Sequence, residues 1–113
     1  MASRPYILGS GQFGLTWTEE DVTHLPEILQ DNNITRIDSA AIYPITSPGT
    51  SEHLIGKNKY VEKGFQVDTK VMWLAPDGRG HLSADAIEKS VGESLERLGL
   101  KKVRTNSSDT RRL

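Results

Sequence analysis

Ile34-Thr35-Arg36-Ile37-Asp38-Ser39-Ala40-Ala41-Ile42-Tyr43 reads as a short strand giving way to a polar loop, with Asp38 at its end and Tyr43 five residues on. Phe65-Gln66-Val67-Asp68-Thr69-Lys70 repeats the pattern and ends on a lysine. Upstream, Tyr6-Ile7-Leu8 is a strand of the short, wholly apolar kind that is covered on both faces. Helix signals separate these strands. Thr18-Glu19-Glu20-Asp21 opens the first helix as a capping box, its acids suited to the positive end of the helix dipole. Val22, Leu25, Ile28 and Leu29 give it an apolar stripe, Pro26 predicts a kink or a later start, and Asp31-Asn32-Asn33 ends it. Ser51-Glu52-His53-Leu54-Ile55-Gly56 reads as a short helix stopped by glycine. Ser83 caps a third, in which Ile87, Val91, Leu95 and Leu98 recur at helical spacing and Gly99 supplies the stop. Strand followed by helix, three times over, predicts an α/β chain with a parallel sheet and crossover helices.

Loops that follow successive parallel strands emerge on one rim of the sheet. Asp38, Tyr43 and Lys70 are therefore expected to converge despite their separation in sequence. An acid, a phenol and an amine in one place make a proton donor. Tyrosine ordinarily titrates near pH ~10. A neighbouring ammonium favours the phenolate and brings proton delivery toward neutrality, while the carboxylate would hold the ammonium in place.

Gly9-x-Gly11-x-x-Gly14 also matches the spacing of a dinucleotide fingerprint after a strand. That fingerprint places its last glycine inside the opening helix. Here the cap is Thr18, four residues later, and Asp38 lies beyond the ~20 residues expected of a ribose-binding acid. A glycine loop with another purpose is the better reading.

At 113 residues the chain is at most one small domain. Its 35% hydrophobic and 26% charged residues place it with ordinary globular proteins. No apolar run approaches the ~18 residues of a spanning helix, and the basic start Met1-Ala2-Ser3-Arg4-Pro5 precedes no secretory core, so a cytoplasmic protein without membrane contact is expected. The absence of cysteine excludes a disulfide framework, a thiolate nucleophile and a Cys-based zinc site, and His24, His53 and His81 lack metal-ligand spacing. The net charge of −1 conceals an asymmetry: residues 1–100 balance at −5 and residues 101–113 at +4. A fourth strand is due at Lys102-Val103, but Arg104 to Arg112 contains no apolar residue and does not suit a buried parallel strand. The expected organisation is a body over residues 1–103 and a disordered basic tail over 104–113. Without aromatic interleaving, the tail's cations predict no nucleic-acid binding.

Taken together, Arg36-Ile37-Asp38-Ser39-Ala40 with Tyr43, Ser51-Glu52-His53-Leu54-Ile55-Gly56, Asp68-Thr69-Lys70 and Ser90-x3-Ser94-Leu95-x-Arg97-Leu98-Gly99 resemble the aldo-keto reductase superfamily. Within it the pattern, including the opening Leu8-Gly9-Ser10 and Phe13-Gly14, is most similar to the aflatoxin-aldehyde-reductase-like branch. The resemblance covers about residues 6–103. It implies a (β/α)₈ TIM barrel that reduces aldehydes or ketones with NADPH, with a small-molecule carbonyl compound as substrate. By the same resemblance Tyr43 is the proton donor, Lys70 depresses its pKa, and Asp38 holds Lys70 beside the nicotinamide ribose. Gly9 and Ser10 would lie against the cofactor, Gln12 near the substrate, and Trp73 in the substrate cleft. The family's fourth catalytic residue, a histidine a few residues beyond Val103, has no counterpart here, since no histidine follows His81. The family's phosphate-gripping loops follow late strands that these residues do not include. A barrel of this kind takes ~250 residues, so the expected fold is a partial barrel of about three parallel βα units, not closed. The abrupt basic ending is expected of a shortened or frame-altered product, weak or inactive alone. Its open sheet edges would favour self-association or an interaction role.

Overall fold

The computed structural model describes residues 6–71 and 84–100. Over them strands and helices alternate as β1 (Ile7–Gly9), α1 (Glu19–Asp31), β2 (Arg36–Asp38), α2 (Thr50–Lys57), β3 (Gln66–Asp68) and α3 (Ala84–Leu98). The strands form one parallel sheet in the order β1-β2-β3. This is the partial barrel arrangement expected from the sequence, an open three-stranded sheet with its helices. Each strand is only three residues long, so the two-residue alternation of side chains assigns the faces directly. Leu8, Ile37 and Val67 share one row across the sheet and join the core with the helices. The rows Ile7-Arg36-Gln66 and Gly9-Asp38-Asp68 face the other way.

α1 begins as its sequence dictates. The Thr18 side chain accepts from the Asp21 amide and the Asp21 carboxylate accepts from the Thr18 amide, closing a capping box. Pro26 does not delay the start of α1, the later of the two starts the sequence allowed, and the helix runs through it to Asp31. A proline removes the bond to the carbonyl four residues back, here that of Val22. That carbonyl instead accepts from the Tyr60 hydroxyl at 2.5 Å. Tyr60 is wholly buried, and burial pushes its phenol well above the ordinary tyrosine range, so the hydroxyl stays a donor. The buried stripe of α1 is Val22, Leu25, Pro26 and Leu29, whereas Ile28, expected in it, is exposed. Pro26 takes its place on the core face.

Gly56, which reads in the sequence as a stop, does not stop α2, which runs to Lys57 and ends at Asn58. Its lack of a side chain serves packing instead. A Cβ there would fall hard against the Arg97 carbonyl oxygen and lie 2.8 Å from the Leu98 Cα. α3 meets α2 at Gly56, and its buried stripe is Ser90, Ser94 and Leu98, two small residues and one large. Ile87, Val91 and Leu95 flank it, half-buried against the core. Gly99, at φ +70, ends α3 as anticipated.

An ion pair fastens the same interface. Glu52 is fully buried; it accepts from the Thr69 hydroxyl at 2.6 Å and from Arg97 at 2.7 and 2.8 Å. These bonds join α2, α3 and the end of β3. Lys57 pairs with Glu19 across α1 and α2, and that hydrogen bond holds the Glu19 carboxyl below the usual carboxylate range. The Ser83 cap, the strand expected at Val103, Trp73 and the 104–113 tail lie outside the described residues. No helix among the described residues is long and apolar enough to cross a membrane.

Candidate functional site

The rim that follows β2 and β3 is held together by backbone before any side chain acts. Beyond the strands the ladder continues, with Ser39 N–H donating to the Asp68 carbonyl at 2.7 Å and Ala41 N–H to the Lys70 carbonyl at 2.9 Å. A turn then closes through Tyr43 N–H to the Ala40 carbonyl at 3.0 Å. Lys70 is thus fixed two residues from Tyr43 across the rim. Loops after adjacent parallel strands must leave on the same side, which is why residues 27 apart in sequence meet.

The Lys70 ammonium sits at the centre. It donates to Asp38 Oδ2 at 3.0 Å and to the Ser39 carbonyl at 2.9 Å, and lies 5.1 Å from the centroid of the Tyr43 ring, over its face. A cation at that separation from an aromatic face is attracted by the ring quadrupole, by roughly 0.5–2 kcal/mol depending on desolvation. Lys70 and Asp38 are each about one quarter exposed, so the pair is reachable from solvent without being dissolved in it. Asp68, the register neighbour of Asp38, has its own cation. Arg36 Nε and an Arg36 terminal nitrogen both reach Asp68 Oδ2, at 2.8 and 2.7 Å. With Asp68 answered by Arg36, Lys70 serves Asp38.

The structure therefore brings Asp38, Tyr43 and Lys70 together, as the strand-end argument anticipates. Gly9 stands beside Asp38 in register, and open space surrounds the position its Cβ would take. Ser10 is placed differently from a rim ligand. It is fully buried, its amide and hydroxyl both donate to the Asp38 carbonyl, and that hydroxyl accepts from Ser51. Gln12 is exposed, and its side-chain carbonyl accepts from Thr16 within its own loop at 2.8 Å. Trp73 is among the residues not described.

Two participants were not legible from sequence. The Ser39 carbonyl is a ligand of the Lys70 ammonium, and Ser51 touches both Ser10 and Ser39 from the first turn of α2. Only their membership of the motifs marked them, because a hydroxyl contact spanning 41 residues has no local signature.

The family model described as "Aldo/keto reductase family" matches residues 5–105. A "putative aldo-keto reductase" of known structure from Pseudomonas aeruginosa is 25% identical, with a TM-score of 0.74 over 93% of this chain and 40% of that one. A second structure of the same description and organism is 23% identical, with a TM-score of 0.72 over 93% of this chain and 41% of that one. The chain thus spans about two fifths of the solved structures it matches. No curated protein matches it.

Proposed function

The chain belongs to the aldo/keto reductase family, and from that premise we propose that Asp38, Tyr43 and Lys70 are the proton-delivering part of a site for reducing an aldehyde or ketone. The observation that carries this reading is the Lys70 ammonium seated between the Asp38 carboxylate, the Ser39 carbonyl and the Tyr43 ring. In the reaction Tyr43 donates its hydroxyl proton to the carbonyl oxygen of the substrate. The ammonium stabilises the phenolate left behind, and Asp38 keeps the ammonium from swinging into water. The implied cofactor is NADP(H), which when bound supplies the hydride.

Fit to that cofactor rests on the rim itself. A carboxylate suits ribose hydroxyls, and the unfilled space at Gly9 leaves room for a ring against the backbone. Gly9 and Asp38 would hold the nicotinamide end. The Ser10 hydroxyl is committed to the Asp38 carbonyl, so Ser10 would act by fixing Asp38. Gln12 lies exposed in the first loop, where a substrate would pass. The chain spans about two fifths of the solved structures it resembles, and the 113 residues by themselves would reduce carbonyl compounds slowly. The combined motifs, with the opening Leu8-Gly9-Ser10 and Phe13-Gly14, support placing the chain in the aflatoxin-aldehyde-reductase-like branch.

NADPH consumption with an aromatic aldehyde tests the reading. We expect slow turnover that falls by about 100-fold or more in Tyr43→Phe, the usual size of a lost proton donor. Equal rates in the two chains would remove Tyr43 from the reaction.

The sheet itself favours a second reading. β1 and β3 are its outer strands, and Ile7 in β1 and Tyr6 just before it are 48% and 67% exposed. Open strand edges recruit other strands, so the chain would act through association without catalysis. Light scattering should then show a mass that rises with concentration, with no turnover at any concentration. A monomer throughout the range would exclude it.

A further inference from the structure

Three buried hydroxyls stand under the rim, and their protons can be placed by elimination. The Ser10 hydroxyl donates to the Asp38 carbonyl at 3.0 Å. A hydroxyl has one proton, so at its 2.7 Å contact with Ser51 it must accept. The single Ser51 proton therefore points to Ser10, whose carbonyl also lies 3.1 Å from Ser51 Oγ. Ser51 must then accept from Ser39, 3.0 Å away. The result is a chain with one direction, from Ser39 to Ser51 to Ser10 to the Asp38 carbonyl. All three serines are fully buried, so no water substitutes for a missing member.

This chain starts and ends on adjacent residues. Ser39 and Asp38 carry the two oxygens that bind the Lys70 ammonium. The hydroxyls therefore brace the Asp38-Ser39 segment from below, while Lys70 sits on it from above. Ser51 also reaches the third member directly, because its amide donates to the Tyr43 carbonyl at 3.2 Å. Among the described residues it is the one bonded to Ser10, Ser39 and Tyr43 alike.

We propose that Ser51 is a positioning residue that sets the Lys70 ammonium over the Tyr43 ring by bracing the Asp38-Ser39 segment through its hydroxyl. The proposal rests on the reading of Asp38, Tyr43 and Lys70 as the reacting group. It predicts that loss of one buried hydroxyl displaces a cation it never touches.

The test reads that displacement in the full chain by NMR. Protons over an aromatic face resonate upfield, so the Lys70 ε-methylene reports its position above Tyr43. In Ser51→Ala, half or more of the upfield shift should disappear. Tyr60→Phe is the control. It also removes a buried hydroxyl bond, to the Val22 carbonyl, but away from the rim, and should keep the full shift. A Ser51→Ala chain that folds and keeps the wild-type shift overturns the proposal, as does an equal loss in Tyr60→Phe. If Ser51→Ala fails to fold, Ser39→Ala removes only the first hydroxyl of the chain, and loss or retention of the shift there decides. Absence of the shift in the wild type would instead remove the Tyr43–Lys70 arrangement itself.

Discussion

Gly56→Ala is expected to destabilise the chain by about 3 kcal/mol, the upper end of the usual range for overpacking. In an exposed helix the same change would stabilise by about 1 kcal/mol, because alanine is the better helix former. Packing reverses the sign. The added methyl meets the Arg97 carbonyl and the Leu98 Cα, which are backbone and cannot rotate aside. The two helices must separate, which loosens Leu54, Ile55 and Leu98 together. For a domain of this size the loss corresponds to a fall of roughly 15 °C in the melting midpoint. Gly92 on α3 supplies the contrast, since nothing lies within 4 Å of its would-be Cβ. Gly92→Ala should raise the midpoint. Matching effects from the two substitutions would mean that α2 and α3 do not meet at Gly56.

Arg97→Ala should cost about 3–5 kcal/mol, and Glu52→Gln clearly less. The asymmetry follows from burial. The Glu52 side chain is 0% exposed, whereas that of Arg97 is 25% exposed. Removing Arg97 leaves a carboxylate whose one remaining partner among the described residues is the Thr69 hydroxyl, in a site closed to water. Removing the charge of Glu52 leaves a guanidinium that water can reach, and the amide keeps an oxygen for Thr69. Urea unfolding of the two variants separates these outcomes, provided the slope with denaturant is unchanged. A larger loss from Glu52→Gln would contradict the burial argument. The ion pair also bears on the rim, because Thr69 precedes Lys70 and its hydroxyl ties that strand end to α2.

The strand-helix order was legible because each signal is local: a capping box at Thr18, a turn at Asp31-Asn32-Asn33, and glycine at 99 with positive φ. Convergence of Asp38, Tyr43 and Lys70 was legible because parallel topology dictates which loops share a rim. Roles that depend on a distant partner were not. Pro26 reads as a reason for α1 to start late until Tyr60 is seen to take the Val22 carbonyl, 38 residues away. Gly56 reads as a stop because the helix facing it begins almost thirty residues later. Ser10 reads as a rim residue, yet parallel pairing turns its hydroxyl under the rim and onto the Asp38 carbonyl. In each case the missing information is a contact between elements, which no residue spacing encodes.

The central claim is that the ends of β2 and β3 place one ammonium against one phenol ring on a carboxylate support. A ¹³C-edited NOE spectrum of the full chain measures it most directly. Cross-peaks from the Lys70 ε-methylene to the Tyr43 ring, absent to Tyr6 and Tyr60, are the predicted result. A Lys70 ε-methylene at its random-coil shift, with no cross-peak to Tyr43, would contradict it.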